Sequence, residues 1–147
     1  PEVFRALCKH IEEEEGRLFE VLVNGMEVRA LGRLADAACA FVTENGGPSV
    51  AREIAFNRKD VPLAKVWERV QDHVGVNGPG SVIISLGGIY DHWTVVRNAS
   101  DSMIGLQDSD GLRRLKRSNC TTSANNGRRG HTIWPNQIYL LTNPEAA

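Results

Sequence analysis

The spacing of apolar residues changes near the middle of the chain. In the first half, apolar positions recur every three or four residues, which predicts amphipathic helices over residues 2–15 and 31–44. A third helix is predicted after Asp60, its expected N-cap, with Pro62 in its first turn and an end at residues 76–80. The buried stripe of this helix comprises Leu63, Val66, Trp67, Val70 and Val74.

Two alternating segments flank the dipeptide Asn24-Gly25. Residues 19–23 precede it and residues 26–30 follow it. Asn-Gly between alternating apolar runs is the strongest short-range hairpin signal, because both residues tolerate the positive φ of the turn. We therefore expect a β-hairpin between the first two helices. Residues 49–56 fit either a short helix or an extended segment.

From residue 81 onward the apolar runs become short and rich in β-branched residues. The predicted strands cover residues 81–86, 92–97, 102–107 and 137–141. The first of them barely alternates, which is typical of a central strand. A basic segment at residues 112–117 and a polar loop at residues 118–130 precede the last strand. Helices and a hairpin followed by an antiparallel sheet predict an α+β fold, with residues 1–147 forming one domain.

Length, composition and charge exclude several classes of protein. The 147 residues are 41% hydrophobic, which is enough for one core. Lysine and arginine number 17 against 18 acids, so a net charge of -1 gives no global attraction to nucleic acid or membrane. No apolar run reaches the roughly 20 residues that span a bilayer, and no signal peptide is visible. The chain begins at Pro1 without a methionine, so one interpretation is a fragment that lacks upstream residues.

The cysteines Cys8, Cys39 and Cys120 are few, odd in number and widely spaced. They contain no Cys-x-x-Cys pair, which argues against a disulfide framework and a structural zinc site. Free thiols indicate a reducing compartment and favour the cytoplasm. We expect neither a cofactor nor a metal. One of the three thiols could be a nucleophile and not merely a free structural thiol.

His92 and Asp108 are the candidate catalytic pair. His92 begins one predicted strand and Asp108 follows the end of the next, so an antiparallel hairpin would bring them together. A carboxylate that reaches an imidazole N–H fixes its tautomer and supports its cation, as in a nucleophilic triad. Asp110, directly before Gly111, fits a turn role better. The expected role of Trp93 is to exclude water from one face of the imidazole.

The segment from about Pro79 to Leu141 resembles the C-terminal half of papain-like cysteine peptidases of the C39-like kind. That group includes the domains that cleave leader peptides behind a double glycine in bacteriocin exporters. The matching segments are Ile83-Ile84-Ser85-Leu86, His92-Trp93-Thr94-Val95-Val96 and Leu106-Gln107-Asp108-Ser109. The resemblance implies a papain-like layout, with His92 as general base and Asp108 as the residue that orients it.

The resemblance also implies a thiolate at the N-terminus of a helix that packs against this sheet. Cys39 is the nearest match, because it precedes an apolar run and lies upstream of His92, although the Gly-Pro that follows the family's cysteine is absent. The implied activity is hydrolysis of a peptide or amide bond through Cys39, His92 and Asp108, with Gln107 or backbone amides holding the oxyanion. The alternatives are a degenerate module that binds a peptide or protein without cleaving it, and a cut chain whose cysteine lies upstream of Pro1.

A basic segment of the chain has no part in this catalytic arrangement. It comprises Arg113, Arg114, Lys116 and Arg117, with Arg128 and Arg129 nearby. A solvated face is the ordinary interpretation of such a segment, and an anionic partner, either nucleic acid or an acidic peptide, is the functional one. Nucleic acid is disfavoured because no aromatic residues interleave with the charges. The partner that the resemblance implies is a peptide or protein substrate. His131 is interpreted as a loop histidine.

Overall fold

The chain divides into two compact units in the computed structural model. The model describes residues 2–75, 80–89, 91–123 and 130–144. Unit 1 comprises Pro1–Arg52 and Asn143–Ala147, and unit 2 comprises Glu53–Thr142. The single-domain organisation stays a prediction. Three predicted features lie outside the described residues. They are the end of the third helix at residues 76–79, most of the polar loop, and Arg128-Arg129.

Unit 1 consists of three helices in the part of it that is described. They are α1 (Glu2–Glu15), α2 (Leu18–Asn24) and α3 (Val28–Glu44). The helix α1 packs against both α2 and α3. Its buried residue is Ile11, and α3 contributes the small residues Ala30 and Ala35, whose size allows close approach of helices. The predicted helices at 2–15 and 31–44 are confirmed, and α3 begins three residues earlier than expected.

The β-hairpin predicted around Asn24-Gly25 is wrong, because both flanks are helical. A type I′ hairpin turn needs positive φ at both central residues. Only Gly25 has it, at 79°, and its N–H donates to the carbonyl of Val21 at 3.0 Å. Asn24 is the last residue of α2. The dipeptide therefore ends a helix, with glycine in the position that helices prefer beyond their C-terminus.

Unit 2 is built on an antiparallel sheet with one covering helix. The helix is α4 (Leu63–Val74), and the strands after it are β2 (Gly80–Gly88), β3 (His92–Ala99), β4 (Met103–Gln107), β5 (Arg114–Lys116), β6 (Cys120–Thr121) and β7 (His131–Thr142). The strand β1 (Ala51–Ile54) spans the boundary between the units in sequence. Within the described ranges the strand order is β1-β7-β2-β3-β4-β5, and β6 pairs in parallel with β7.

The core of unit 2 lies between α4 and one face of this sheet. Val66, Trp67 and Val70 of α4 are fully buried, as the predicted stripe requires. The sheet contributes Val82, Ile84 and Leu86 from β2, Val96 from β3, Ile104 and Leu106 from β4, Leu115 from β5, and Ile133, Ile138 and Leu140 from β7. The central position predicted for residues 81–86 is confirmed, since β2 lies between β7 and β3.

Several predicted element boundaries differ from the structure. The N-cap of α4 is Pro62 and not Asp60, and Pro62 accepts the backbone N–H groups of Lys65 and Val66 through its carbonyl. β7, predicted at residues 137–141, begins at His131, six residues earlier than predicted, because its first part pairs with the end of β2. Of the helices in the described ranges, none has the length and apolar character needed to cross a membrane.

Candidate functional site

His92 and Asp108 are in direct contact at one end of the sheet, as the sequence predicts. His92 is the first residue of β3, and Asp108 follows Gln107, the last residue of β4. The antiparallel pairing of these strands places both residues at the same end. His92 Nε2 lies 2.7 Å from Asp108 Oδ2. The imidazole side chain is 19% exposed and the carboxylate 1% exposed, so the ring alone reaches the surface.

The loop after β4 holds the Asp108 carboxylate in place. Its Oδ1 accepts the backbone N–H of Asp110 at 2.8 Å and that of Leu112 at 3.2 Å. The chain must turn back sharply for the second bond, and Gly111 allows this with a φ of 88°. The carboxylate therefore uses one oxygen to fix the loop and the other to hold the imidazole.

Asp108 is ionised at neutral pH despite its burial. Burial alone raises the pKa of its carboxyl group. Hydrogen bonds from the side chain of Thr94 and from the backbone of Asp110 and Leu112, together with the charge of His92, outweigh this effect and hold the pKa below its ordinary value. An ionised carboxylate only accepts hydrogen bonds, so His92 Nε2 must donate its N–H to Asp108.

This donation leaves Nδ1 as the unprotonated nitrogen of the neutral His92 ring. In the neutral ring, Nδ1 carries the lone pair that could accept a proton. Asp110 Oδ2 lies 3.6 Å from Nδ1, and the Asp110 side chain is 63% exposed. The sequence assigned Asp110 to the turn alone, and only the alternation Asp-Ser-Asp before glycine hinted at a second carboxylate near the ring.

The low pKa of Asp108 predicts an acid-dependent loss of stability. Because the folded-state pKa lies below the ordinary value of about 4, the carboxylate stabilises the fold at all higher pH values. This contribution is lost as the pH falls through the folded-state pKa. Urea unfolding between pH 2 and 6 should therefore show the stability advantage of the wild type over Asp108→Asn shrinking towards low pH. A constant difference across the range would contradict the assignment.

The expected role of Trp93 beside the imidazole is wrong. Trp93 pairs with Ser85 and stacks on Tyr139, with ring centroids 5.9 Å apart. His92 pairs with Leu86 and therefore faces the opposite side of the sheet, since side chains alternate along a strand. The same alternation separates Gln107 from His92. Gln107 pairs with Val95, so it lies on the face of Trp93.

Cys39 belongs to unit 1, whereas His92 and Asp108 belong to unit 2. Cys39 lies in the C-terminal half of α3 and not at its start, so the helix dipole gives its thiolate no support. Burial raises the pKa of the Cys39 thiol, and the Asp36 carboxylate raises it further, against a smaller opposing effect of Arg52. The helix-start position that the resemblance implies for the nucleophile is therefore not the position of Cys39.

Cys120 has the properties of an unreactive thiol. Burial raises its pKa to about 11, and its Sγ donates to the carbonyl of Lys116 at 3.2 Å. Cys120 pairs in register with His131, which is the first residue of β7 and not a loop residue as predicted. Burial lowers the pKa of His131. Both groups are thus stabilised in their neutral forms, which opposes a thiolate–imidazolium pair.

Comparison with protein-family models, with curated proteins and with solved structures finds no match for the chain. The interpretation of the site therefore depends on its own geometry. That geometry consists of an imidazole with a fixed tautomer, an ionised carboxylate at its Nε2 and a second carboxylate beside its Nδ1.

Proposed function

We propose that this protein is a papain-like thiol hydrolase that cleaves a peptide or amide bond, with His92 as general base and Asp108 as the positioning residue. The observation that supports the proposal is the 2.7 Å contact between His92 Nε2 and Asp108 Oδ2. A buried, ionised carboxylate against a half-buried imidazole is the arrangement that a general base needs. Cys39 is the proposed nucleophile, following the sequence resemblance.

The reaction would proceed through an acyl-enzyme. His92 Nδ1 removes the proton of the thiol while the sulfur attacks the carbonyl carbon, and the imidazolium then protonates the leaving amine as the carbon–nitrogen bond breaks. Water attacks the resulting thioester, His92 takes the proton of that water, and the thiol leaves as its proton returns. Asp108 remains ionised throughout and supports the transient cation. A thiol with a raised pKa depends on such a base, because little thiolate forms without one.

Alkylation of individual cysteines tests this proposal. Iodoacetamide labelling followed by peptide mass spectrometry should show Cys39 reacting faster than Cys8 and Cys120. His92→Gln should slow the Cys39 reaction by about tenfold or more, since the base is gone. His10→Gln, which removes an imidazole of unit 1, is the matched control and should leave the rate unchanged. Cys120 is an internal reference, because at pH 8 a pKa of about 11 leaves roughly a thousandth of it as thiolate.

A second candidate function is a papain-like module that binds a peptide or protein without cleaving it. The observation that favours it is the position of Cys39 in the C-terminal half of α3, where the helix dipole does not support a thiolate, and burial also raises the pKa of the Cys39 and Cys120 thiols. In this case all three cysteines label slowly, and His92→Gln changes none of the rates. That result would exclude Cys39 as a nucleophile activated by His92.

A further inference from the structure

Four cations lie on the sheet surface opposite the core of unit 2 or at its rim. We call this group the basic face, and it comprises Arg97, Arg113, Arg114 and Lys116, all of them exposed. Arg114 pairs with Gly105 and Lys116 with Met103, on the side opposite to the buried Leu115.

The cations of the basic face are not neutralised within the protein. In the part of the chain that the structure describes, none of the four has a carboxylate partner. The other described arginines of unit 2 are engaged, in the pairs Arg58–Asp60 and Arg69–Glu53 and in the contact of Arg117 with the ring of Trp67. Like charges that face water without partners are available to an anionic ligand.

A groove of about 490 Å³ crosses this face beside the candidate site. Arg97 and Arg113 line it together with the amide side chains of Asn98 and Gln107, and Asp108 borders it. Arginine binds a carboxylate with two parallel, charge-assisted hydrogen bonds, and side-chain amides donate further N–H groups. The groove therefore offers several donors to carboxylate groups next to the residue that holds His92.

We propose that the basic face binds an acidic, extended segment of a polypeptide. Among the described strands, β5 pairs only with β4, so its outer edge can add hydrogen bonds to an extended chain. A polypeptide fits better than nucleic acid, because none of the groove-lining residues is aromatic and the groove therefore lacks the aromatic platforms on which single-stranded nucleic acid stacks. That this segment belongs to a cleaved substrate rests on the proposed function, whereas the binding does not.

Fluorescence anisotropy with a labelled oligoglutamate peptide and the full chain tests the proposal. Arg97→Gln/Arg113→Gln should weaken binding by about tenfold or more, since two bidentate donors are removed. Lys59→Gln/Lys65→Gln removes the same charge from exposed positions outside the basic face and should change the affinity by less than about twofold. Raising the salt concentration should weaken wild-type binding.

Three outcomes would overturn the proposal. They are no binding of oligoglutamate, equal weakening by the two double variants, and tighter binding of a single-stranded oligonucleotide than of the peptide. His92→Gln separates this proposal from hydrolysis, because it should retain the affinity for oligoglutamate even if it abolishes cleavage. Absence of cleavage with intact, groove-dependent binding would therefore refute only the proposed function.

Discussion

Asp108→Asn should invert the tautomer of His92. The amide that replaces the carboxylate would keep an oxygen for the backbone N–H groups of Asp110 and Leu112, so its NH₂ group would turn towards His92 Nε2. Nε2 would then accept, the ring proton would move to Nδ1, and the proposed base would lose the lone pair it needs. If the protein is the proposed hydrolase, its rate should fall by about 10⁴-fold, the scale of a wrong tautomer in a catalytic triad.

Long-range ¹⁵N–¹H correlation spectra of the neutral imidazole measure this change without a substrate. The wild type should carry its proton on Nε2 and Asp108→Asn on Nδ1. Asp110→Asn is the matched control, because it alters the carboxylate beside Nδ1 and leaves the Nε2 contact intact. Identical tautomers in the wild type and Asp108→Asn would contradict the assigned role of Asp108.

Trp67→Ala should produce the largest loss of stability in unit 2. Trp67 is 0% exposed, its Nε1 donates to the carbonyl of Ser100 at 2.7 Å, and the Arg117 guanidinium lies 5.8 Å from its ring centroid. Truncation of a buried tryptophan costs about 3–5 kcal/mol of unfolding free energy. Since small domains have about 5–15 kcal/mol in total, the variant should lose a large share of its unfolding free energy.

Urea denaturation followed by circular dichroism measures this effect. Trp67→Phe keeps most of the packing but leaves the Ser100 carbonyl without its donor, so it should cost about 1–3 kcal/mol. Lys65→Ala, at an exposed position of the same helix, should change stability by less than about 0.5 kcal/mol. A loss below about 1 kcal/mol for Trp67→Ala would contradict the central position of this side chain in the core.

The local patterns that predicted the fold correctly were those that fit only one type of secondary structure. The apolar stripe of α4 has the spacing of a helix, and a short β-branched run with little alternation fits a strand in the interior of a sheet. The hairpin at Asn24-Gly25 failed because glycine at positive φ serves a helix end as well as a turn. The apolar residues on either side of the dipeptide fit the helical period of about 3.6 and the strand period of 2 equally well, because each segment is only a few residues long.

The candidate site was predictable as far as strand pairing determines it. The contact of His92 with Asp108 follows from two neighbouring strands and one turn. Two features of the site depend on the shape of the loop at Gly111, which residue types alone do not define. They are the backbone hydrogen bonds that lower the pKa of Asp108 and the approach of Asp110 to His92 Nδ1. The same holds for Trp93, whose partner Tyr139 comes from a strand distant in sequence.

The position of β7 has a consequence for how unit 2 is made. β7, the last of the described strands, lies in the interior of the sheet, between β1 and β2. During synthesis the ribosome therefore releases β2 long before its neighbour exists, and the apolar edge of β2 stays open until residues 131–142 emerge. Such an edge invites pairing between nascent chains, so slow translation of residues 131–142 should increase aggregation.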